Sequence, residues 1–516
     1  MTVDWTGGYV ADIEYLPGFY REQSPTIIDL ACLIRGVQPP DRSGAWTYCD
    51  LGCGQGMTCL LLAAANPGGR FIGVDFNPAH IARARDLARL AGLTNVTFIE
   101  ASFEDLAEAP ERLPEFDYAA MHGIFSWVGD TSRRAIVKLL AARLKPGGVA
   151  YVSYNAMPGW NAVVPIQRLI LEHVRLAGQG SDGGIAGAID FAERMQAAGA
   201  PSFTDPEVLP MLRKDLDRGN ISYLAHEDLH DHWRPLYHAD VARSLAEAKL
   251  SFVAHGTVLD NFLALSLTPE KRALLEGITD PVMRETFRDY LGARSFRRDI
   301  FMRGPRHLPP RRRDARLGEI ELTMVVAPIS IKHEIDVPAG KAGLEPGLFG
   351  PLFEALSRGP HRIADLLKLP DIRTREPPKA VEVAGMLVGS RQVIPVVGSA
   401  DGPGRAACMA FNRMMIDHVD FSPGIAAKAL ASPVTGSGHH LQIFELFACA
   451  ALMDGVPASV PELVDHIWTR MLRTGDRLRR DGVEIEDEAE TRGILKTEME
   501  SVVNVVVPVW RQLGLA

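Results

Sequence analysis

Residues 50–56 read Asp50-Leu51-Gly52-Cys53-Gly54-Gln55-Gly56, an acid closing an apolar run and then three glycines at alternate positions. A strand that ends in an acid and turns through Gly-x-Gly-x-Gly into a helix brings backbone close to a ligand, because glycine turns sharply and leaves no Cβ in the way. Residues 46–51 predict the strand, and the apolar stretch 57–65 predicts the helix. A pyrophosphate-binding dinucleotide fold prefers Gly-x-Gly-x-x-Gly with the helix N-terminus aimed at phosphates. That third glycine spacing is absent.

Outward from this turn the pattern alternates. Strand 70–75 follows at once, then helix 78–91, strands 96–100 and 116–122, helix 132–144, and strand 149–154 entered through Pro146-Gly147-Gly148. Such alternation predicts an α/β protein with a doubly wound, Rossmann-like parallel sheet and right-handed crossovers. Helix 239–248 and segments 250–254 and 295–302 supply the last two strands, for seven in all. The chain divides into an N-terminal cap (1–45), a cofactor-binding core (46–160), a helical insertion (161–218), a region completing the sheet (219–303) and a C-terminal domain (304–516). The proline- and arginine-rich stretch 305–316 marks the main boundary. Short helices at 348–356, 363–369 and 380–387 leading to an apolar strand at 393–397 suggest a smaller α+β, winged-helix-like module, followed by a mostly helical region. No fixed-period repeat is visible.

Hydrophobic residues at 47% and charged residues at 23% of 516 place the chain among packed globular proteins of several domains. A net charge of -9 gives no reason to expect nucleic acid as a partner. The short run Arg311-Arg312-Arg313 reads as a solvated linker. Cys32, Cys49, Cys53, Cys59, Cys408 and Cys449 are too sparse for a disulfide framework and hold no Cys-x-x-Cys pair. With neither a signal-peptide pattern nor a long apolar span, the expectation is a cytoplasmic protein with no membrane span. The oligomeric state is not encoded in any pattern here.

The cofactor follows from the acids around the glycines. S-adenosylmethionine lacks a phosphate but carries an ammonium, a carboxylate and a sulfonium, so Asp50 has a cation to meet. Gly52, Cys53, Gly54 and Gly56 supply the close backbone. About twenty residues on, Gly73-Val74-Asp75-Phe76-Asn77 places an acid where a ribose diol donates two hydrogen bonds, so Asp75, with Phe76 and Asn77, is expected to hold the ribose. After the third strand, Ser102 and Phe103 supply polar groups and a ring where adenine would lie, although a phenylalanine there also suits a core.

This ordered set, completed by Lys145-Pro146-Gly147-Gly148, resembles the class I S-adenosylmethionine-dependent methyltransferases. A narrower resemblance runs through Phe116-Asp117-Tyr118-Ala119-Ala120-Met121-His122-Gly123-Ile124-Phe125-Ser126-Trp127-Val128 and Tyr151-Val152-Ser153-Tyr154-Asn155-Ala156-Met157-Pro158-Gly159-Trp160. It continues in Tyr223-Leu224-Ala225-His226-Glu227-Asp228-Leu229 and Phe296-Arg297-Arg298-Asp299. These segments are similar to the bacterial group with a methyltransferase regulatory domain, which includes rickettsial protein-lysine methyltransferases acting on outer-membrane proteins. The resemblance covers about residues 10–303. It implies methyl transfer to lysine side chains of a protein or peptide, with S-adenosylhomocysteine as product. Methylation of a small molecule or biosynthetic intermediate is the alternative, and a cofactor-sensing regulatory protein a third reading.

Transfer from a sulfonium is an in-line displacement that asks mainly for alignment and exclusion of water. The methyl is expected over the carboxyl ends of the first and fourth strands, which singles out His122, Trp127, Tyr154 and Asn155 as catalytic candidates. Two roles stand for His122, a general base or a hydrogen-bonded scaffold. Tyr154 and Asn155 are read as orienting the acceptor, Phe125, Trp127 and Trp160 as lining its channel, and Tyr20 as closing over the site. His226-Glu227-Asp228-Leu229-His230 matches the zinc-protease string, but Pro235 soon follows and the family resemblance accounts for His226 and Glu227 without zinc, so no metal is expected.

Overall fold

The structure is a computed structural model that describes residues 18–177, 181–217, 232–373, 378–417, 428–480 and 483–516. Its centre is one seven-stranded sheet: β1 (Trp46–Leu51), β2 (Gly69–Asp75), β3 (Val96–Glu100), β4 (Phe116–Met121), β5 (Leu144–Asn155), β6 (Leu250–His255) and β7 (Phe296–Arg303). The spatial order is β3-β2-β1-β4-β5-β7-β6, with β1 to β5 parallel and β7 antiparallel to both neighbours. The expected last two strands are therefore present. The expected turn at Pro146-Gly147-Gly148 instead lies inside a longer β5, where the pairing slips opposite Phe116 and Tyr118 and Gly147 takes φ +79°. A bulge of this kind lets a turn-forming sequence stay within a ladder.

Helices α1 (Pro25–Ile34), α2 (Met57–Ala65), α3 (Pro78–Leu90), α4 (Phe103–Glu108) and α5 (Asp130–Arg143) precede or connect the strands. α6 (Val164–Ala177), α7 (Ser181–Ala197) and α8 (Val208–Asp217) form the inserted helical region, which packs around its own cluster of Ile166, Ile170, Ile189 and Leu209. Apolar residues three and four apart give each of these helices one buried stripe.

α2 is different. Met-Thr-Cys-Leu-Leu-Leu-Ala-Ala-Ala has no polar face, and every residue from Thr58 to Ala65 is buried. A helix apolar all round must be covered on all sides. The sheet covers one side, and helix Arg405–Asp417 with the hairpin Lys428–Ser432/Ser437–Leu441 covers the other. The Cys408 thiol even donates to the Ala64 carbonyl. The cap helix α1 is likewise core, buried at nine of its ten residues. Past residue 304 the chain first builds a small three-stranded sheet, in the order His361–Arg362, Glu321–Met324, Val393–Pro395, with its own apolar cluster of helices. The remainder shares one hydrophobic core with the main sheet.

Side chains alternate between faces along a strand. Register puts Asp50, Ala120, Tyr151 and Ile300 on one face, and Leu51, Met121, Val152 and Asp299 on the other. On the second face, β7 carries a buried ionic network. Arg297 is fully buried. It donates through Nε to Asp299 (2.8 Å), through Nη1 to both oxygens of Asp289 (2.7 Å each) and through Nη2 to Glu285 (2.9 Å). His238 and His255 close the ring on Asp299 at 3.0 and 3.3 Å. Burial opposes the charge on Asp299, yet Arg297 and the two histidines hold its carboxyl well below the usual range. Arg297→Met strands three buried carboxylates. We expect it to cost about 3–5 kcal/mol in urea-induced unfolding, and a change under ~1 kcal/mol would show that the network is solvated.

Candidate active site

The first and fourth strands lie side by side, while the connections after β1 and β4 leave in opposite directions. At such a switch point a crevice opens outside the carboxyl ends of the strands, and the glycine loop stands in it. The amides of Gly52 and Cys53 both bond the Val74 carbonyl, at 2.8 and 2.9 Å, which folds the loop back over β2. Gly52, Gly54 and Gly56 have φ of +82°, +53° and +77°. A Cβ on Gly52 would lie 2.2 Å from Ile124 Cδ1, and one on Gly56 2.5 Å from Phe98, whereas one on Gly54 would meet open space. The first and third glycines thus serve packing, and the second leaves its backbone bare toward the crevice.

Asp75 is tied in place from two sides. Its Oδ2 accepts from the Gly54 amide and its Oδ1 from the Asn77 amide, both at 2.9 Å, and His80 Nδ1 lies 3.4 Å from Oδ1. Asn77 spends its side chain capping α3 by accepting from the Ala79 amide. Asp50 is buried beside Asp75, and burial together with that second negative charge raises its carboxyl to about 7. Two acids held together out of water form a place that a cation relieves. These donors fit S-adenosylmethionine. Asp50 would face its ammonium and Asp75 its ribose.

Ser102 caps α4 by accepting from the Asp105 amide, and the Asp105 side chain returns the bond to the Ser102 amide. This capping box fixes Phe103, whose ring edge would stand 3.8 Å from a Cβ at Gly52. Phe103 and Ile124 therefore form an apolar wall across the loop. Phe76 is half-buried at the tip of β2. Cys53 is turned inward toward Gly73, and burial with Asp50 holds its thiol protonated.

His122 follows β4 on the Asp50 face. Its Nδ1 lies 3.0 Å from the Tyr151 hydroxyl and 3.2 Å from Ser153 Oγ, and Ser153 accepts from the Gly123 amide at 2.8 Å. Tyr20 stacks on the ring at 3.7 Å between centroids. Burial, and then the charge of Arg298, lower His122 to about 3. An imidazole so reluctant to be protonated is a poor general base. Of the two roles open from sequence, geometry favours the neutral scaffold.

Tyr154 is one residue out of phase with that face. Its hydroxyl donates to Asp299 at 2.7 Å and lies 3.2 Å from His238 inside the buried network. The period-two alternation of β5 puts Tyr154 behind the sheet. Asn155 is on the front face but buried, its amide bonded to Ser126 Oγ. Phe125 is also buried, packed in the core behind the sheet, with its carbonyl held by Arg133. Of the residues expected to line the channel, Trp127 and Trp160 are brought together. Both pack on Trp233, at centroid distances of 6.3 and 5.2 Å, and Trp160 Nε1 donates to the Ser295 carbonyl.

Trp233 and Arg298 escaped sequence reasoning. The Arg298 guanidinium stacks at 4.9 Å on Phe296 of its own strand, and its register opposite Ser153 exists only because β7 returns beside β5. His226, His230 and the segment 223–229 lie outside the described residues, while His238 belongs to the network behind the sheet. Among the described residues, no group of three or more histidine, cysteine or carboxylate side chains is placed to hold a metal ion, and no helix is long and apolar enough to cross a membrane. A cavity of about 860 Å³ between α1 and helix Pro310–Glu319 contains none of the site residues. Two of its arginines are engaged, Arg42 with Asp29 and Arg316 with Glu319.

The sheet order and the loop at its switch point define an S-adenosylmethionine-dependent methyltransferase, and comparison with known proteins agrees. A family described as "Methyltransferase domain" matches residues 43–174, and one described as "Predicted methyltransferase regulatory domain" matches 220–303. An uncharacterized protein of Synechocystis sp. is 34% identical over 516 residues, covering 99% of this chain and 100% of that one. The chain belongs to the family of methyltransferases that carry this regulatory domain.

PKMT2 from Rickettsia typhi shares the fold over 96% of this chain and 99% of its own, with TM-score 0.68 at 18% identity. Its complex with AdoHcy matches at TM-score 0.67 and 19% identity, over 97% and 99% of the two chains. A trans-aconitate 2-methyltransferase of Paracidovorax citrulli is 35% identical over 107 residues, 21% of this chain and 38% of that protein.

Two titrations check the site. Asp50 takes up a proton as pH falls through about 7, and an ammonium ligand needs it ionised. Affinity for S-adenosylhomocysteine should thus weaken up to ~tenfold per pH unit below that point in calorimetry, and Asp50→Asn should flatten the dependence. A parallel pH profile in the variant would remove Asp50 from the ligand. His122 stays neutral above pH ~5, so His122→Asn should lower methyl transfer without changing the shape of its pH profile between about pH 6 and 8. Loss of a limb near 6.5 would restore the general-base role.

Proposed function

We propose that the protein N-methylates lysine side chains of a polypeptide. The observation that carries this reading is the tryptophan cluster of Trp127, Trp160 and Trp233, whose Trp160 bonds the Ser295 carbonyl beside Phe296, the ring 6.1 Å from His122. Aromatic faces line a path for an alkyl amine and favour a methylated cation by about 0.5–2 kcal/mol. The fold is shared with PKMT2 along almost the whole chain, and the regulatory-domain family to which the chain belongs is the group whose resemblance implies a lysine acceptor.

When bound, S-adenosylmethionine supplies a methyl group on a sulfonium, open to in-line displacement. The chain's own residues then have three tasks. Asp50, Asp75 and the bare Gly54 backbone hold and orient the ligand, and Tyr20 with His122 excludes water from one side. The acceptor amine must arrive uncharged, against an ordinary pKa of about 10.4. Half-burial and the nearby Arg298 guanidinium disfavour its protonated form just as they do the imidazole of His122. No side chain positioned as a strong base is then needed.

Arg298 also favours a second reading, a small carboxylic acid as acceptor, because a guanidinium at the mouth would hold its carboxylate. The trans-aconitate 2-methyltransferase match supports that reading only over 107 residues, 21% of this chain.

Incubation with radiolabelled S-adenosylmethionine and a bacterial extract separates the two. We expect label in protein, at lysine on peptide mapping, and Trp160→Ala should raise the KM for the protein acceptor about tenfold with S-adenosylhomocysteine affinity unchanged. Label confined to small molecules would reject the protein acceptor.

A further inference from the structure

The turn bearing Tyr20 is held from the far end of the chain. Residues 21–23 form a single 3-10 turn, too short to fix its own position, since one hydrogen-bonded turn does not repay the entropy of ordering it. Tertiary contacts must place it. On the sheet side, Thr58 Oγ1 donates to the Gly18 carbonyl at 3.2 Å and the Tyr48 hydroxyl to the Gln23 carbonyl at 3.3 Å.

The opposite side is supplied by the hairpin that covers α2. The hydroxyls of Ser24 and Ser437 are 2.6 Å apart and buried, and Thr26 Oγ1 donates to the Thr435 carbonyl at 3.1 Å. Phe19 lies so close to Gly438 that a Cβ there would stand 2.6 Å from its Cε1 and 2.8 Å from its Cδ1. His440 flanks the same ring at 5.8 Å, and at the rim Arg391 donates to Glu22 at 2.8 Å. Tyr20, between Phe19 and Arg21, has its ring on His122.

We propose that the hairpin is a positioning element of the cofactor site. Phe19, Ser437 and Gly438 set where Tyr20 stands against His122, so residues more than 400 positions away in sequence govern how firmly the ligand is enclosed. The proposal rests on reading Tyr20 and His122 as one wall of that site. Glycine at 438 is required by the close approach itself, because any side chain pushes Phe19, and with it the next residue, off the histidine.

The test uses the full-length protein with S-adenosylhomocysteine as probe. A positioning group displaced by about an ångström is commonly felt tenfold or more, so Gly438→Ala should raise the dissociation constant about tenfold while the unfolding temperature of the ligand-free protein stays near the parent's. Adding Phe19→Leu removes the two nearest of the three colliding atoms, the third being Leu61 Cδ1 at 2.9 Å, and should bring the constant most of the way back to that of Phe19→Leu alone, a rescue that general destabilisation would not give.

Should Gly438→Ala not fold, Ser437→Ala combined with His440→Ala removes the hairpin's contacts to Ser24 and Phe19 instead, and the same weakening is expected. Unchanged affinity in the folded hairpin variants, or failure of the rescue, overturns the proposal. Tyr20→Ala separates the two levels. Weaker binding there with unaltered hairpin variants rejects the coupling and keeps the site, whereas unaltered binding in Tyr20→Ala rejects the wall itself.

Discussion

Asp50 and Asp75 end adjacent parallel strands, so the pairing of β1 with β2 forces two carboxylates together out of water. The fold tolerates this because the glycine loop doubles back to give the Gly54 amide to Asp75, which also accepts from the Asn77 amide past the end of β2, while Asp50, raised to about 7, is the acid a cation would relieve. Everything else near the crevice is arranged around that unbalanced charge. Phe103 and Ile124 close one wall, Tyr20 and His122 another. Arg298, the positive charge acting on His122, comes from β7 and not from the loop, so the crevice has acids at the glycine loop and a guanidinium beside His122.

The sheet was legible because its evidence is local. Glycines, strand-ending acids and alternating apolar runs lie within a few residues of one another, and seven strands could be placed from them. Within the site, the same holds for Asp50, Asp75, Gly54 and Phe103, each next to its own strand end. Trp233 and Arg298 were invisible because their partners are brought up by β5, β7 and the connection between them, across more than seventy residues. Tyr154 is a different failure. Counting by twos from Tyr151 through Ser153 to Asn155 already excludes it from the front face, so the pattern held the answer and the aromatic side chain distracted from it.

The extent of the core was also partly written in the sequence. A surface helix shows one polar stripe, and α2 shows none, which demands a cover on the side away from the sheet. What supplies that cover could not be read, since residues 405–441 carry no mark of their partner. The proline- and arginine-rich stretch read as a boundary is for the most part helix Pro310–Glu319, and the small three-stranded module follows it. Beyond that module the chain returns to the first core, and sequence continuity says nothing about such a return.

The all-apolar α2 ties the order of synthesis to the order of burial. A ribosome finishes the whole cofactor crevice long before it reaches Arg405, and until then the outer side of α2 has only water or another chain to touch. Newly made sheet domains therefore keep this apolar face open for the time needed to add residues 304–441. In evolution the same dependence makes the C-terminal region hard to lose or exchange, since a lineage that dropped it would have to repaint α2 with polar residues first.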